Sequence, residues 1–180
     1  MDIIISGVGV YPDFTNPLHP TYPDHTICED AANTVLGALK KGLQPGMKKP
    51  LFIALSTFGI SDHGRDVPLM MYLTSPLYNW LLKVPHTDKK KMEKILEGEV
   101  QKVDSAISAF TVIRASWLTD GDMLGLKSVR SDTEENGKVA GKSMGYTISR
   151  KDVGNWIYQS IVKSDKGRRA YANKFVGVSY

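Results

Sequence analysis

The chain has 180 residues, 42% hydrophobic and 23% charged, which fits one ordinary globular domain with a buried core and argues against two. Its net charge of +4 is scattered apart from one run at Lys89-Lys90-Lys91; no aromatic residues interleave with a basic stripe and no zinc spacing is present, so nucleic-acid and metal binding are set aside. Cys28 has no second cysteine to pair with, which points to a reducing compartment. No apolar run approaches the ~20 residues that cross a bilayer, and no basic-then-apolar leader opens the chain, so a soluble, cytoplasmic protein without membrane contact is expected.

Asp2-Ile3-Ile4-Ile5-Ser6-Gly7 is β-branched on both faces and stops at glycine, the pattern of a buried strand in a parallel sheet. A proline-rich loop follows from Tyr11 to His25. Thr26 and Glu29 have capping-box spacing, and the helix they open carries Ile27, Ala31, Val35, Leu36 and Leu39 on one stripe, with Gly42 as its stop. Pro50 to Leu55 is a second apolar strand running into Ser56-Thr57-Phe58-Gly59.

Val67 to Val84 is interrupted by Pro68 and Pro76 and predicts one or two short helices at the sheet edge. Thr87 is expected to cap a long helix through Met92, Ile95 and Leu96, continuing past Gly98 to Val103 and Ile107, which puts the lysine run at its start on a solvated face. Phe110 to Ile113 is a third strand ending at Arg114. The segment from Ser131 to Ser143, with Gly137 and Gly141 among charges, predicts a mobile surface loop. Ser149 and Asp152 cap a helix built on Val153, Trp156, Ile157 and Ile161, and Lys174 to Val178 is a final strand. Strands alternating with helices of this length give an α/β class with a parallel sheet covered on both faces.

Three phrases carry a family resemblance. DIIISGVG (Asp2 to Gly9), LFIALSTFGI (Leu51 to Ile60) and TVIRASWLTDG (Thr111 to Gly121) followed by YTISRKDVGNWI (Tyr146 to Ile157) resemble the atypical short-chain dehydrogenase/reductase group that includes NmrA-like proteins and flavin or biliverdin reductases. The third is the most specific, because two phrases of the pattern "T-V-I-R-P … L-T-D-G … I-S-R-x-D-V-A" recur in order. The chain departs from it at Ala115, where the family has proline. The resemblance implies a Rossmann-like doubly wound parallel sheet, with residues 1–180 forming one NAD(P)-binding domain. It also implies N-terminal truncation, since the family opens with a strand, a glycine-rich loop and a helix, and no such module precedes Asp2. NAD or NADP binding is then expected to be weak or absent in this chain, and Ile3 to Ile5 to form an unprotected edge open to self-association.

The resemblance also assigns candidate site residues. Ser6, Gly7, Gly9, Thr57, Lys89, Ala115 and Ser116 are expected at the cofactor, and Ser56, Lys89 and His86 at the chemistry. Strand ends of open α/β sheets hold ligands, but the hydroxyls of Ser56 and Thr57 could instead satisfy loop backbone, and the glycines could merely turn the chain. The tyrosine of the usual Tyr-x-x-x-Lys pair is absent: His86 could replace it as proton donor if Lys90 is the partner, its ordinary pKa suiting the task, whereas the family's K-x-x-x-E spacing fits Lys89 with Glu93 better and puts Pro85 at the tyrosine position. His86 could also be only a solvated or cap-forming residue.

Arg114 invites phosphate binding, though a structural role is preferred, since the strand ends there and a neighbouring carboxylate such as Asp152 is as likely a partner. Tyr72, Tyr78, Trp80 and Trp117 could line a flat aromatic pocket, with core packing the commoner use of such residues. The expectation is therefore an NAD(P)H-dependent oxidoreductase reducing a small carbonyl or quinone-like substrate in its full-length form. The alternatives are a non-catalytic NmrA-like dinucleotide-sensing regulator and an inactive truncated remnant.

Overall fold

The computed structural model describes residues 3–10, 13, 15–16, 20–44, 46–73, 75–136 and 138–180, the side chains of 72–79 excepted. Five strands form the central sheet: β1 (Ile3–Ser6), β2 (Leu51–Thr57), β3 (Ala109–Ala115), β5 (Arg130–Thr133) and β7 (Lys174–Ser179), in the order β1-β2-β3-β7-β5. All neighbours are parallel except β5, which runs antiparallel to β7 at the far edge. A small parallel pair, β4 (Trp117–Thr119) with β6 (Thr147–Ser149), stands beyond the end of β3.

Two apolar layers explain why the middle strands read as continuous hydrophobic runs. On one face, Phe52, Ala54, Phe110 and Val112 pack against Cys28, Ala32 and Leu36 of α1 (Ile27–Gly42). Short α2 (Leu69–Leu73) precedes α3 (Ser75–Val100), which adds Met92 and Leu96 to the same layer. On the other face, Ile53, Ile113, Val176 and Val178 pack against Val153, Trp156 and Ile157 of α4 (Arg150–Ile157) and Ile161 of the π-turn that extends it; α5 (Asp165–Ala170) follows. The class is thus mixed α/β with a mainly parallel sheet covered on both faces, compatible with a Rossmann-like fold. Among the described residues β1 pairs with β2 alone, and Ile5 on that edge is 51% exposed. No helix among the described residues is long and apolar enough to cross a membrane.

Several local expectations are corrected. Helix α3 runs unbroken through Pro85, so the lysine run lies in mid-helix; Thr87 caps nothing, and its hydroxyl donates back to the Lys83 carbonyl at 2.8 Å. The helix ends at Val100, leaving Val103 exposed while Ile107 is buried ahead of β3. The 131–143 segment supplies β5 and buries Glu134 and Ser143, because Asp132 and Thr133 complete the ladder with β7; Gly137 lies outside the described residues.

The cap of α1 comes from another element. Thr26 makes no side-chain cap, and the Asp88 carboxylate of α3 instead accepts from the Cys28 and Glu29 amides, both at 2.9 Å. A buried anion at a helix N-terminus satisfies two orphan donors and the dipole together. A cap drawn from a residue sixty positions away leaves no local pattern.

The two phrases around Asp120 and Asp152 turn out to be structural partners. Strands β4 and β6 align Leu118 with Ile148, and Arg150 pairs with Asp120 at 2.6 Å. Buried Asp152 accepts from the Leu124 and Gly125 amides at 2.7 and 3.0 Å and from the Tyr180 hydroxyl, pinning the loop after β4. Ser149 caps α4 as expected, its hydroxyl accepting from the Asp152 amide.

Replacing Asp88 with Ala should cost about 1–2 kcal/mol in urea denaturation while Thr26→Ala costs a few tenths, the reverse of what the capping-box spacing predicts. Burial works against the Asp152 charge, but hydrogen bonds from Tyr180, the two amides and Ser149 hold its carboxyl below the usual range. Its contribution is therefore present above about pH 4 and lost as pH falls through the lowered value. Asp152→Asn should reduce stability at neutral pH and flatten the acid limb of a stability-against-pH curve; identical curves would contradict this.

Candidate functional site

Helix α3 lays three polar side chains along one stripe facing the carboxyl ends of β2 and β3, because His86, Lys89 and Glu93 recur at helical spacing beside buried Met92 and Leu96. Lys89 Nζ donates to the Leu55 carbonyl at 3.1 Å, and a Cβ placed on Gly9 would lie 3.8 Å from it. The lysine thereby joins the end of β2 to the chain leaving β1. Gly7 and Gly9 are exposed, and Ser6 closes β1 between them and the sheet.

Ser56 and Thr57 end β2, in register with Arg114 and Ala115 of β3. Ser56 is buried, and its Oγ has no aligned hydrogen-bond partner although it lies beside the Glu93 carboxylate and favours its ionised form. Ser116, the residue after β3, is buried with an equally unpartnered hydroxyl. Ala115 is buried on the opposite face, within the layer formed with α4. The structure therefore gathers Ser6, Gly7, Gly9, Ser56, Thr57, Lys89 and Ser116 at one end of the sheet, with Ala115 beneath.

Burial, and then repulsion from Lys89, lowers His86 to about 4. At that value the ring is neutral at neutral pH. Burial pushes the Cys28 thiol up to about 11, which keeps it a core filler.

Arg114 does not meet Asp152. Its guanidinium forks onto Glu93, Nε to Oε1 at 3.1 Å and Nη2 to Oε2 at 2.7 Å, and its Nη1 donates to Glu134. Phe175 lies flat beneath it, 4.6 Å from ring centroid to guanidinium carbon. Arg114 is thus committed to two carboxylates and an aromatic face, the structural reading of this residue rather than a phosphate site.

Glu93 and Glu134 were absent from the candidate residues. The family spacing named Glu93 without giving it a task, and Glu134 lay in a segment expected to be loop. Ser61 donates to Glu134, and Asp66 accepts from the Ile60 and Ser61 amides at 3.3 and 3.2 Å. This group opens to solvent through a cleft flanked by Asp62, His63, Lys90 and Lys94.

Trp80 and Trp117 are not core residues. Trp80 is 51% exposed and Trp117 56%, while the side chains of Tyr72 and Tyr78 lie outside the described residues. Trp80 borders a second, more apolar cleft with Tyr22, His25 and Val84. Among the described residues no group of three or more His, Cys, Asp or Glu side chains has the arrangement of a metal site.

No family model matches the chain. Among curated proteins it is 41% identical over 186 residues to the reductase pytE of Aspergillus terreus, an alignment covering 99% of this chain and 67% of that protein. It is 34% identical over 181 residues to the oxidase pynE of Aspergillus niger, covering 92% of this chain and 61% of that protein. The chain thus spans about two thirds of the length of these curated relatives. One relative is named a reductase and the other an oxidase, both oxidoreductases by name. With identity of this level running the length of a parallel α/β chain, the protein belongs to the oxidoreductase family of the pytE reductase.

Proposed function

We propose that this chain carries the nicotinamide end of an NAD(P)H-dependent oxidoreductase site that reduces a small, flat carbonyl or quinone-like substrate. The observation that carries the reading is the convergence of Gly9, Lys89 and Ser56 at the carboxyl ends of β1 and β2. Ligands of open α/β sheets bind outside the strand ends, and exposed glycines let a ligand approach the backbone closely. The buried Ser116 hydroxyl, which has no partner, fits a ligand with polar groups, since buried hydroxyls otherwise go unsatisfied at a cost.

Lys89 would hold the ribose next to the nicotinamide, with Ser6, Gly7 and Thr57 shaping its bed and Ser116 flanking the ring. Ser56 would face the substrate oxygen. When bound, the cofactor supplies the hydride. His86, neutral at working pH, would fix the position of a ligand or of Lys89 by hydrogen bonding. No described residue forms a glycine-rich phosphate cradle, so this reading gives the chain the reactive end of the cofactor and not its pyrophosphate grip.

Calorimetric titration of the full-length protein with NADPH and NADH tests the reading. One of them should bind, and Lys89→Met should weaken it by about tenfold, the loss of one charge-assisted hydrogen bond, with the melting temperature of the free protein nearly unchanged. Equal affinity in the variant, or no affinity in the wild type, would contradict it.

A further inference from the structure

Pro85 opens a docking point on helix α3. Proline has no amide, so the Leu81 carbonyl four residues earlier lacks its ordinary helical donor. The Tyr22 hydroxyl, from the segment ahead of α1, donates to that carbonyl instead and is held with its ring buried against the first half of α3. A few residues further on, the Cys28 and Glu29 amides reach Asp88 of the same helix. Two ties, one at each end, thus fix the 20–29 segment face to face with the 80–88 stretch of α3.

Between these walls lies the cleft bordered by Trp80, about 580 Å³ in volume. Small-molecule sites run to roughly 300–1,000 Å³ and are largely formed before the ligand arrives. Pro20, Tyr22 and His25 make one side of this cleft, and Trp80, Lys83 and Val84 the other. Tyr22, His25 and Trp80 are flat rings, and Trp80 leaves half its surface exposed at the wall. Among the described residues no carboxylate lines the cleft, so a cation finds no counter-charge there. A neutral aromatic ring, which stacks on aromatic faces, is the occupant that matches this lining.

The cleft stands next to the proposed cofactor surface. The helices that follow β1 and β2 begin at the carboxyl ends of those parallel strands, so both walls rise at that end of the sheet. Val84 precedes Lys89 by five residues on α3, about 7.5 Å of helix rise.

We propose that this cleft is the subsite for the outer ring of an aryl carbonyl substrate whose reducible carbon lies beyond it, at the Lys89 end. The inference rests on the functional reading above and narrows it: a one-ring carbonyl is too short to occupy both the cleft and the nicotinamide surface, whereas a two-ring one spans them. Trp80 is then a specificity-determining residue that touches the outer ring. Tyr22 is a second wall of the subsite, set in place by its bond to the Leu81 carbonyl.

The test compares benzaldehyde with 4-phenylbenzaldehyde, NADPH being the reductant, in full-length wild type, Trp80→Ala and Tyr22→Phe. Wild type should favour the two-ring aldehyde by about tenfold in kcat/KM, through KM, the worth of one good aromatic contact. Trp80→Ala should erase that preference while benzaldehyde reduction and NADPH affinity stay as in wild type. Tyr22→Phe keeps the ring and removes only its tie to Leu81, and should lower the preference in part. A merely structural role for Trp80 would slow both aldehydes alike. Equal kcat/KM for the two aldehydes in the wild type, or an unchanged preference in Trp80→Ala, would overturn the subsite and leave the functional reading standing. An unchanged preference in Tyr22→Phe would overturn the part given to the tie. Reduction of neither aldehyde by the wild type would overturn the functional reading, and the subsite with it.

Discussion

The fork between Arg114 and its two glutamates is the contact on which the arrangement of this domain's candidate site depends. Arg114 projects from β3 toward the helical layer and holds α3 through Glu93 and the segment after β5 through Glu134, with the Phe175 ring of β7 beneath it. One side chain thus joins four elements at the carboxyl end of the sheet. Such a group is unforgiving: truncating one partner of a buried ion pair leaves an uncompensated charge and costs about 3–5 kcal/mol. Hydrophobic residues of similar volume would hold the same elements at less expense. That a buried charge cluster stands here, at the strand ends, agrees with a chemical use for it.

The consequences run along α3. Met92 and Leu96 seat the helix in the apolar layer, and the Glu93 fork helps fix it against β3. Lys89, one turn earlier, is then delivered to the Leu55 carbonyl and the Gly9 backbone, and His86 follows on the same stripe. On the outer side of the helix Asp88 caps α1 and Lys91 pairs with Glu29 at 2.9 Å, so α1 and α3 position each other. What reads in one dimension as a basic run divides in three: Lys89 serves the strand ends, Lys90 the cleft and Lys91 the neighbouring helix.

Much of the fold was legible because its signals are local. Runs such as Leu51 to Leu55 and Phe110 to Ile113 are apolar on both faces, which a half-exposed strand cannot tolerate, and Ser149 with Asp152 is a cap complete within four residues. Elements that rely on distant partners were not legible. The α1 cap needs Asp88, β5 is polar and becomes a strand only by pairing with β7, and β4 and β6 are three residues each. Thr87 read as a cap suggested a helix start there, but α3 runs on through Pro85 despite the lost hydrogen bond. The candidate site followed the same rule. Ser56 and Lys89 could be named from strand-end position and family spacing, whereas the partners of Arg114 come from α3 and from a segment with no periodic pattern.

The central claim is that the carboxyl ends of β1, β2 and β3 form one ligand surface for a nicotinamide cofactor. Amide hydrogen exchange of the full-length protein with and without saturating NADPH measures this surface directly. The account predicts slowed exchange at Gly7–Gly9, Thr57–Phe58 and Ser116–Trp117 together, with the Trp80 cleft unchanged. Protection confined to that cleft, or none at the three strand ends, would contradict it.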